Sequence, residues 1–482
     1  MKNQTVFQKD EINRELLEFL DKSPVSFYAV RNMREMLEAA GAVRLLEGAR
    51  WELKPGGMYY VTRNESALIA FRIPEKNPAE GTTAADGGTD AEDMPAGFQI
   101  IASHCDSPAF KIKSNAQITV EGHYLTLNIE KYGGMICESW FDRPLSAAGR
   151  IVVRTQEGVE TKLVCIDRDL LIIPHLAIHM NHGINDGYMI NVQKDMMPLF
   201  AGLGTGGRED PGGTNEDAFL DLIAEEAGVS AGDILDTDLY LYSRVKGTVL
   251  GLHKEFLASG HFDDLQCGFA SLKGFLAAET GSSIAVHCVY DNEEVGSVSK
   301  QGAASTFLAD TLRRINSALG GGEEDYRVRI QNSFLLSADN AHAVHPNYAE
   351  MSDPTNRPYL NGGIVIKYHA NQKYTTDAVS GAIFRELCKA ADVPVQTFWN
   401  RSDQPGGSTL GNISTSQVAV NSVDIGLPQL AMHSSYEVTG AEDTVRLVKA
   451  AAVYYAASIR GSGDGNYRLM LLRRDGSGET GE

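Results

Sequence analysis

The sequence lacks the features that mark several broad classes of protein. No run approaches ~18 consecutive apolar residues, the length a membrane-spanning helix needs, so we expect no membrane protein. The N-terminal segment, MKNQTVFQKDEINRE, has no apolar stretch like that of a secretory signal. Basic residues are not in excess, since the formal net charge is -20. Because nucleic acids and anionic membranes bind basic surfaces, we expect neither as a partner.

Cysteine is scarce, and its spacing points to no disulfide framework. The six cysteines form no CxxC pair and no dense cluster. We therefore expect reduced, mostly buried thiols and a cytoplasmic location. The composition, with 43% hydrophobic and 22% charged residues over 482 positions, is that of a globular protein with one large or two moderate domains.

Short, continuous apolar segments recur along much of the chain. Because they do not alternate with polar residues, they predict strands that are covered on both faces. Helical segments such as 269–279 and 378–391 separate several of them, which is typical of an α/β fold with a mixed sheet flanked by helices. The predicted strands are FQIIA (98–102), SIAVHCVY (283–290), NSFLLSA (332–338), GIVIKY (363–368), VPVQTFW (393–399) and QLAM (429–432).

Residues 110–250 have a different pattern. Alternating segments such as AQITVEG, YLTLNIE and GRIVVRT, separated by glycine-containing turns, predict an inserted β-rich domain. The rest, residues 1–109 and 251–482, would form the two parts of one catalytic domain. The low-complexity stretches at 77–97 and 202–217 predict surface insertions, and we expect the polar tail after Gly461 to fray.

Side chains that can bind metals follow several of the predicted strands. In open α/β sheets, ligands bind at the carboxyl ends of the strands, so we expect these side chains to converge on one cleft. Zinc accepts histidine nitrogen and carboxylate oxygen, and two metals ~3.5–4 Å apart need a shared carboxylate. Singly, each residue has an ordinary structural reading, such as a helix cap; together they favour a metal-dependent hydrolase. They are His104, Asp106, Asp263, Asp264, Glu293, Glu294, Asp339 and His433.

The adjacent pair Glu293 and Glu294 carries a further prediction. Neighbouring residues of an extended segment point in opposite directions. One carboxylate can then bind a metal while the other reaches the attacking water as a general base, which a hydrolase needs.

Several longer motifs resemble the M18 metallopeptidases, the family of the aspartyl aminopeptidases. The resemblance covers nearly the whole chain from residue 23 onward, and it implies a di-zinc peptidase catalytic domain with an inserted β-rich dimerisation domain. The motifs are IASHCDSP (101–108), YGGMICESWFDRPLSAAGRIVV (132–153), IPHLAIHM (173–180), HFDDL (261–265), YDNEEVGS (290–297), SADNAHAVHPNY (337–348), GIVIK (363–367) and LPQLAMHSSYE (427–437).

The resemblance implies a set of metal ligands. His104 and Asp339 would bind one divalent ion, Glu294 and His433 would bind the other, and Asp263 would bridge the two. The ions expected are zinc, with manganese or cobalt as alternatives.

The resemblance also implies catalytic residues around these ligands. Glu293 would be the general base, and Asp106 would orient the His104 ring, unless it is simply a turn-stabilising carboxylate. His179 would reach into the active site of a neighbouring subunit and stabilise the oxyanion there, whereas His175 is the structural member of that pair. The family assembles as dimers that build a tetrahedral dodecamer, and we expect the same here.

The expected activity is release of N-terminal residues from peptides, with acidic residues favoured. Lys367 matches the lysine that faces the substrate's acidic side chain, although it could instead lie at a strand end or bind the peptide backbone. HFDDL and HSSYE depart from the aspartyl members of animals and leave open a preference for leucine or other neutral residues. The residues are also compatible with a di-metal amidase that acts on N-acyl amino acids, or with a scaffold that keeps the fold without activity.

Overall fold

The computed structural model describes residues 7–75, 96–203 and 217–471. The predicted insertions at 77–97 and 202–217 fall almost entirely outside these ranges. The helices are α1 (Lys9–Asp21), α2 (Ser26–Ala39), α3 (Val192–Asp195), α4 (Ala218–Ala227), α5 (Phe262–Ala277), α6 (Phe307–Ala318), α7 (Glu323–Gln331), α8 (Ala378–Ala390), α9 (Leu410–Gln417) and α10 (Asp443–Ala456).

Strands account for most of the remaining regular structure. They are β1 (Val43–Arg44), β2 (Met58–Arg63), β3 (Ala67–Arg72), β4 (Phe98–His104), β5 (Ala109–Val120), β6 (Tyr124–Tyr132), β7 (Leu145–Arg154), β8 (Val159–Cys165), β9 (Leu199–Gly202), β10 (Ile234–Ser243), β11 (Thr248–Leu250), β12 (Phe256–Ser259), β13 (Ile284–Tyr290), β14 (Phe334–Ala338), β15 (Ala341–His342), β16 (Ile364–Tyr368), β17 (Val395–Trp399), β18 (Asn421–Gly426), β19 (Pro428–Leu430), β20 (Glu437–Gly440), β21 (Ser458–Gly463) and β22 (Asn466–Met470).

A nine-stranded mixed sheet forms the centre of the catalytic part. Its strand order is β1-β2-β3-β13-β4-β14-β18-β16-β17. The four strands β13, β4, β14 and β18 run parallel to one another, while β3 and β16 are antiparallel to their inner neighbours. Every residue of β4 and β13 is buried, as their continuous apolar sequences predict.

Helices cover both faces of this sheet. Along β4 the side chains alternate, so that Ile101 packs in the hydrophobic cluster of one face and Ile100 in that of the other. The first cluster includes Phe269 of α5 and Leu447 of α10, and the second includes Phe307 of α6. This arrangement confirms the α/β fold class expected from the sequence.

The β-rich insert is a six-stranded antiparallel sheet with its own hydrophobic core. Its strand order is β8-β7-β10-β5-β6-β9. Its strands begin at Ala109 and end at Ser243. The next strand, β11, pairs with β12 in a separate five-stranded sheet that also contains β20, β19 and β15. By its strand pairing, β11 (residues 248–250) belongs with the catalytic part. The boundary at residue 250, expected from the sequence, assigns these residues to the insert.

Two sequence expectations differ from the structure. The QLAM segment does not form a strand of the large sheet: β19 is three residues long and lies in the five-stranded sheet, where it pairs with β20 and β15. The tail after Gly461 does not fray at once, because β21 and β22 form a hairpin as far as Met470. Within the described ranges, no helix combines the length and the apolar character needed to cross a bilayer.

Candidate active site

Three adjacent parallel strands deliver candidate side chains to one edge of the large sheet. His104 is the last residue of β4, and Asp339 directly follows β14. On the other side of β4, the short 3-10 turn Glu293–Val295 follows β13. Since the carboxyl ends of parallel strands lie at the same edge, sheet register alone brings these groups together.

Asp263 and His433 reach the same place from different elements. Asp263 lies in the first turn of α5, where its backbone is not helical (φ -84°, ψ 107°), and a cis peptide bond joins it to Asp264. His433 follows β19 with a left-handed backbone (φ 67°). The buried Glu437 carboxylate accepts hydrogen bonds from both main-chain N–H groups, at 3.2 Å from Asp263 and 2.8 Å from His433. One carboxylate thus fixes both backbones relative to each other.

Asp263 lies between two histidines. Its Oδ1 is 3.5 Å from Nε2 of His104, and its Oδ2 is 3.4 Å from Nε2 of His433. Nε2 of His433 is also 3.4 Å from Oε2 of Glu294. Donor atoms lie within 4.8 Å of one another in each of the sets His104–Asp263–Asp339 and Asp263–Glu294–His433. A third such set joins His104 with Glu293 and Glu294.

Main-chain carbonyls orient both imidazole rings. Nδ1 of His104 lies 3.0 Å from the carbonyl oxygen of Asp106, and Nδ1 of His433 lies 2.7 Å from that of Gly134. A carbonyl oxygen can only accept, so Nδ1 carries the hydrogen in each ring and Nε2 faces Asp263. The ring of His104 is therefore held by the main chain of Asp106, while the Asp106 carboxylate lies further away, with its Oδ1 3.4 Å from Nδ1.

The Asp106 carboxylate anchors the turn that carries Glu293 and Glu294. It accepts the main-chain N–H groups of both residues at 3.1 Å, and the hydroxyl of Tyr132 at 2.7 Å. The two glutamates lie in a 3-10 turn, so the expectation of an extended segment with opposed side chains was wrong. The turn instead places both carboxylates near His104.

Burial and mutual charge shift the ionisation of the site. Burial raises the pKa of Glu293 to about 7 and also raises that of Glu294 and Asp339. Burial alone would lower the pKa of His433, but its hydrogen bond to Asp263 and the charge of Glu294 raise it to about 10. The carboxylates of the buried site thus carry more negative charge than the nearby cationic side chains balance.

These residues fit a pair of divalent cations. Two donor atoms that share a tetrahedral ion at ~2.1 Å lie roughly 3.4 Å apart, close to the separations around Asp263. Oδ1 of Asp263 and Oε1 of Glu294 are buried and have no hydrogen-bond partner among the described residues. A buried carboxylate oxygen without a partner destabilises the fold unless a bound cation compensates its charge.

A cleft of about 210 Å³ opens beside these groups. On its floor, Lys367 is buried and donates to the carbonyl oxygen of Asp339 at 2.7 Å, with its Nζ 3.5 Å from Oδ2 of the same residue. Its pKa is raised because the charge of Asp339 outweighs the effect of burial. The lysine does not lie at an exposed strand end. The other walls of the cleft include His342, Tyr374, Phe398, Thr409 and Met432.

His179 lies apart from this cleft within its own chain. It is exposed in the short turn Ile178–Met180 of the insert and is not among the residues that line the cleft. His175, by contrast, is held by Asp142, with Nδ1 2.6 Å from Oδ2, and its ring stacks on Phe141.

Sequence reasoning assigned no role to Glu437, Tyr132 or Gly134, although all three contact candidate site residues. Glu437 and the pair Gly133–Gly134 stand in motifs that were recognised. The adjacent glycines were the available signal, because glycine pairs often mark close approach of backbone to another group.

Comparison with known proteins places this site in a family. The profile described as "Aminopeptidase I zinc metalloprotease (M18)" matches residues 19–455. The chain is 44% identical over 445 residues to the "Probable M18 family aminopeptidase 2" of Clostridium novyi, covering 92% of this chain and 97% of that one. It is 42% identical over 452 residues to the protein of the same name in Pseudomonas aeruginosa PAO1, covering 93% and 99%.

Solved structures show the same likeness. The chain is similar to one chain of the cryo-EM structure of the Ape4 and Nbr1 complex, with a TM-score of 0.85, 35% identity, and 93% and 86% of the two chains covered. It is also similar to the S. cerevisiae mApe1 dodecamer structure, with a TM-score of 0.76, 26% identity, and 93% and 98% covered. The chain belongs to the M18 family of aminopeptidases. The family expected from the sequence motifs is thereby confirmed.

Proposed function

We propose that this chain is a two-metal aminopeptidase that releases single N-terminal residues from peptides. The observation that carries the proposal is the position of Asp263, whose two oxygens face the Nε2 atoms of His104 and His433 at 3.5 and 3.4 Å. That is the arrangement a carboxylate shared by two ions requires. His104 and Asp339 would complete one position, and Glu294 and His433 the other.

The ions proposed are zinc, with manganese or cobalt as alternatives, because histidine nitrogen and carboxylate oxygen suit all three. The chemistry such ions supply is polarisation of the scissile carbonyl and a lowered pKa of the attacking water.

Within the chain, Glu293 takes the water proton and delivers it to the leaving nitrogen. Without bound ions, burial raises the pKa of Glu293 to about 7, so this carboxyl group can bind and release a proton more readily than an exposed glutamate near neutral pH. Asp106 holds the Glu293 main chain at 3.1 Å and so fixes the direction from which the base acts.

Replacing Glu293 with glutamine tests the assigned base. We expect Glu293→Gln to lose hydrolysis of amino-acyl arylamides while about two ions per chain remain bound, because no proposed ligand changes. Metal content by mass spectrometry and turnover on the same sample would be compared.

Glu324→Gln offers a matched control, since Glu324 is exposed in the first turn of α7 and is not among the candidate ligands; it should leave activity and metal content unchanged. Activity retained in Glu293→Gln would contradict the assignment.

The preferred N-terminal residue is proposed to be acidic. Lys367 supports this, because it is a buried cation on the floor of the cleft. One observation favours the alternative of leucine or other neutral residues: the Lys367 ammonium is already bonded to the Asp339 carbonyl, and Tyr374, Phe398 and Met432 form apolar walls.

Rates on aspartyl, glutamyl and leucyl arylamides separate these two preferences. For an acidic preference, Lys367→Met should lower the rate on aspartyl substrate relative to leucyl substrate by about tenfold or more, through loss of a charge-assisted contact. An unchanged ratio would favour the neutral alternative. Hydrolysis of N-acetyl amino acids in place of arylamides would indicate the amidase instead.

His179 is proposed to act in a neighbouring subunit of a homo-oligomer, with dimers building a tetrahedral dodecamer. Its exposure and its absence from its own cleft support this, as does the likeness to the mApe1 dodecamer.

Mixed assemblies test the proposed role of His179. His179→Ala and Glu293→Gln chains should each be inactive alone. Co-assembled, they should recover part of the activity, because some sites then receive an intact His179 and an intact Glu293. No recovery in verified mixed assemblies would count against the proposal.

A further inference from the structure

A segment of the β-rich insert reaches the candidate metal site of its own chain. Residues 132–139 comprise the last residue of β6 and the first part of the link to β7, and we call them the connecting segment. At its start, the hydroxyl of Tyr132 donates to Oδ2 of Asp106 at 2.7 Å and accepts from Asn292 at 2.9 Å. Oδ2 of Asp106 also receives the main-chain N–H of Glu294, so this hydroxyl supports the turn that carries the glutamates.

The glycines of the connecting segment lie directly against two candidate ligands. A methyl group at Gly133 would be 3.1 Å from Cβ of Glu294, and one at Gly134 would be 3.8 Å from Nδ1 of His433. Gly133 also has a left-handed backbone (φ 75°), which suits glycine. The short contact and the left-handed backbone favour glycine at Gly133, whereas a methyl group at Gly134 would make an ordinary van der Waals contact with His433.

His433 is held by the connecting segment on both sides. Its Nδ1 donates to the carbonyl oxygen of Gly134 at 2.7 Å, and its own carbonyl accepts from the main-chain N–H of Ile136 at 3.0 Å. Two residues on, the main-chain N–H of Ser435 donates to Oγ of Ser139 at 2.9 Å. The insert therefore fixes the ring orientation, the tautomer and the loop of His433.

The opposite pair of candidate ligands has no direct contact of this kind. Nδ1 of His104 is held by Asp106, and the carbonyl of Asp339 by Lys367, all within the catalytic part. Among the described residues, hydrogen bonds from the insert fall on His433 and on the Asp106 carboxylate that holds the Glu294 main chain, and none is seen on the side chains of His104 or Asp339.

We propose that the connecting segment is a positioning element that sets the affinity of the metal position formed by Glu294 and His433. The proposal rests on the two-metal function above and adds that the insert controls one of the two positions selectively. Partners that orient metal ligands typically change affinity 10- to 100-fold when lost, roughly the range expected here.

Zinc binding to the full-length apo protein tests this without relying on activity. Calorimetric titration with Zn²⁺ should resolve two positions in the wild type. In Gly133→Ala we expect one position to keep its affinity and the other to weaken by about tenfold or more. Tyr132→Phe, which removes only a hydroxyl and is the safer variant for folding, should weaken the same position to a smaller extent, because Oδ2 of Asp106 also accepts the main-chain N–H of Glu294, whereas His104 is held by the main-chain carbonyl of Asp106.

Gly122→Ala is the matched control. Gly122 has a similar left-handed backbone (φ 69°) in the same insert, with no atom within 4 Å of an added methyl group. It should leave both affinities unchanged, and thermal unfolding of all variants shows whether the fold is kept. To identify the weakened position, the titration is repeated in a His433→Ala background, where Gly133→Ala should have no further effect on the remaining ion.

Two results would overturn the inference: equal weakening of both positions, or unchanged binding in both Gly133→Ala and Tyr132→Phe. A wild-type chain that binds a single ion would be a different failure, because it contradicts the two-metal function on which the inference rests.

Discussion

The two halves of the candidate metal centre are built in different ways. His104 and Asp339 lie at the ends of neighbouring parallel strands of the large sheet, and His104 is only 1% exposed. Glu294 and His433 lie on short loops, and the His433 side chain is 30% exposed. Those loops are held by Asp106, Glu437 and the connecting segment of the insert.

The difference shows how the two halves of one site can depend on different parts of the chain for their support. A strand end is fixed by ladder hydrogen bonds and by cores on both faces, so its side chains have little freedom. A loop ligand depends on the partners that orient it, and those partners can belong to another part of the chain. Asp263 contacts both halves and is the residue on which both depend.

The largest effect is expected from removing the shared carboxylate. Asp263→Ala should lower metal content to less than one ion per chain and reduce activity more than about 100-fold, beyond what loss of an outer partner causes. Metal analysis and turnover of the same preparation measure this. Asp10→Ala serves as the control, since the Asp10 side chain is 95% exposed in the first turn of α1 and belongs to none of the sets of candidate ligands. A variant at Asp263 that kept two ions would break the comparison, because the halves would then not share a ligand.

Removing one histidine from each half sharpens the comparison. His433→Ala should keep one ion at close to normal affinity and cost less stability than His104→Ala, because the ring is 30% exposed, although the loss of its charge beside Asp263 and Glu294 also destabilises the apo fold. His104→Ala should also lose one ion but destabilise the fold by about 2 kcal/mol, because it empties a buried, hydrogen-bonded position. Urea unfolding of the two apo proteins compares them. Equal loss of stability in both would mean that the two histidines contribute equally to the fold and would contradict the comparison.

A smaller effect is expected from a buried histidine in the sheet itself. Burial lowers the pKa of His287 on β13 to about 3, below the ~6.5 of an unfolded chain. At His287 the unfolded state therefore takes up a proton that the folded state does not, and the contribution of this residue to stability falls as the pH drops below about 6.5.

Relative to the wild type, His287→Met should make the change in apo stability from pH 7 to pH 5.5 more favourable by about 1 kcal/mol, because this one unfavourable contribution is removed. Urea midpoints at the two pH values measure it. His123→Met, at a position exposed in a turn of the insert, is the control and should leave the pH dependence nearly unchanged. An identical pH dependence in wild type and His287→Met would show that His287 is not the group responsible.

The large sheet and its strand-end ligands could be predicted from local sequence. The segments 98–102 and 283–290 are long, apolar and bounded by polar residues, and the structure has β4 and β13 there. Parallel strands then place His104, Asp339 and the Glu293–Val295 turn together without further information.

The half of the site formed by Glu294 and His433 depends on contacts between segments far apart in the chain. Such contacts cannot be predicted from the local pattern of a single sequence. β19 has three residues and is positioned by β20 and β15, so its sheet could not be inferred from the QLAM segment. The approach of Gly134 to His433 joins residues 299 positions apart. The β21–β22 hairpin did leave a signal, since Asp464-Gly465 is a typical hairpin turn pair.

A crystal structure of the zinc-loaded full-length protein, with anomalous diffraction at the zinc edge, tests the central claim most directly. We predict two peaks per chain about 3.5–4 Å apart, with one oxygen of Asp263 bound to each. A single peak, or two peaks with the Asp263 carboxylate bound to only one of them, would contradict the shared-carboxylate centre.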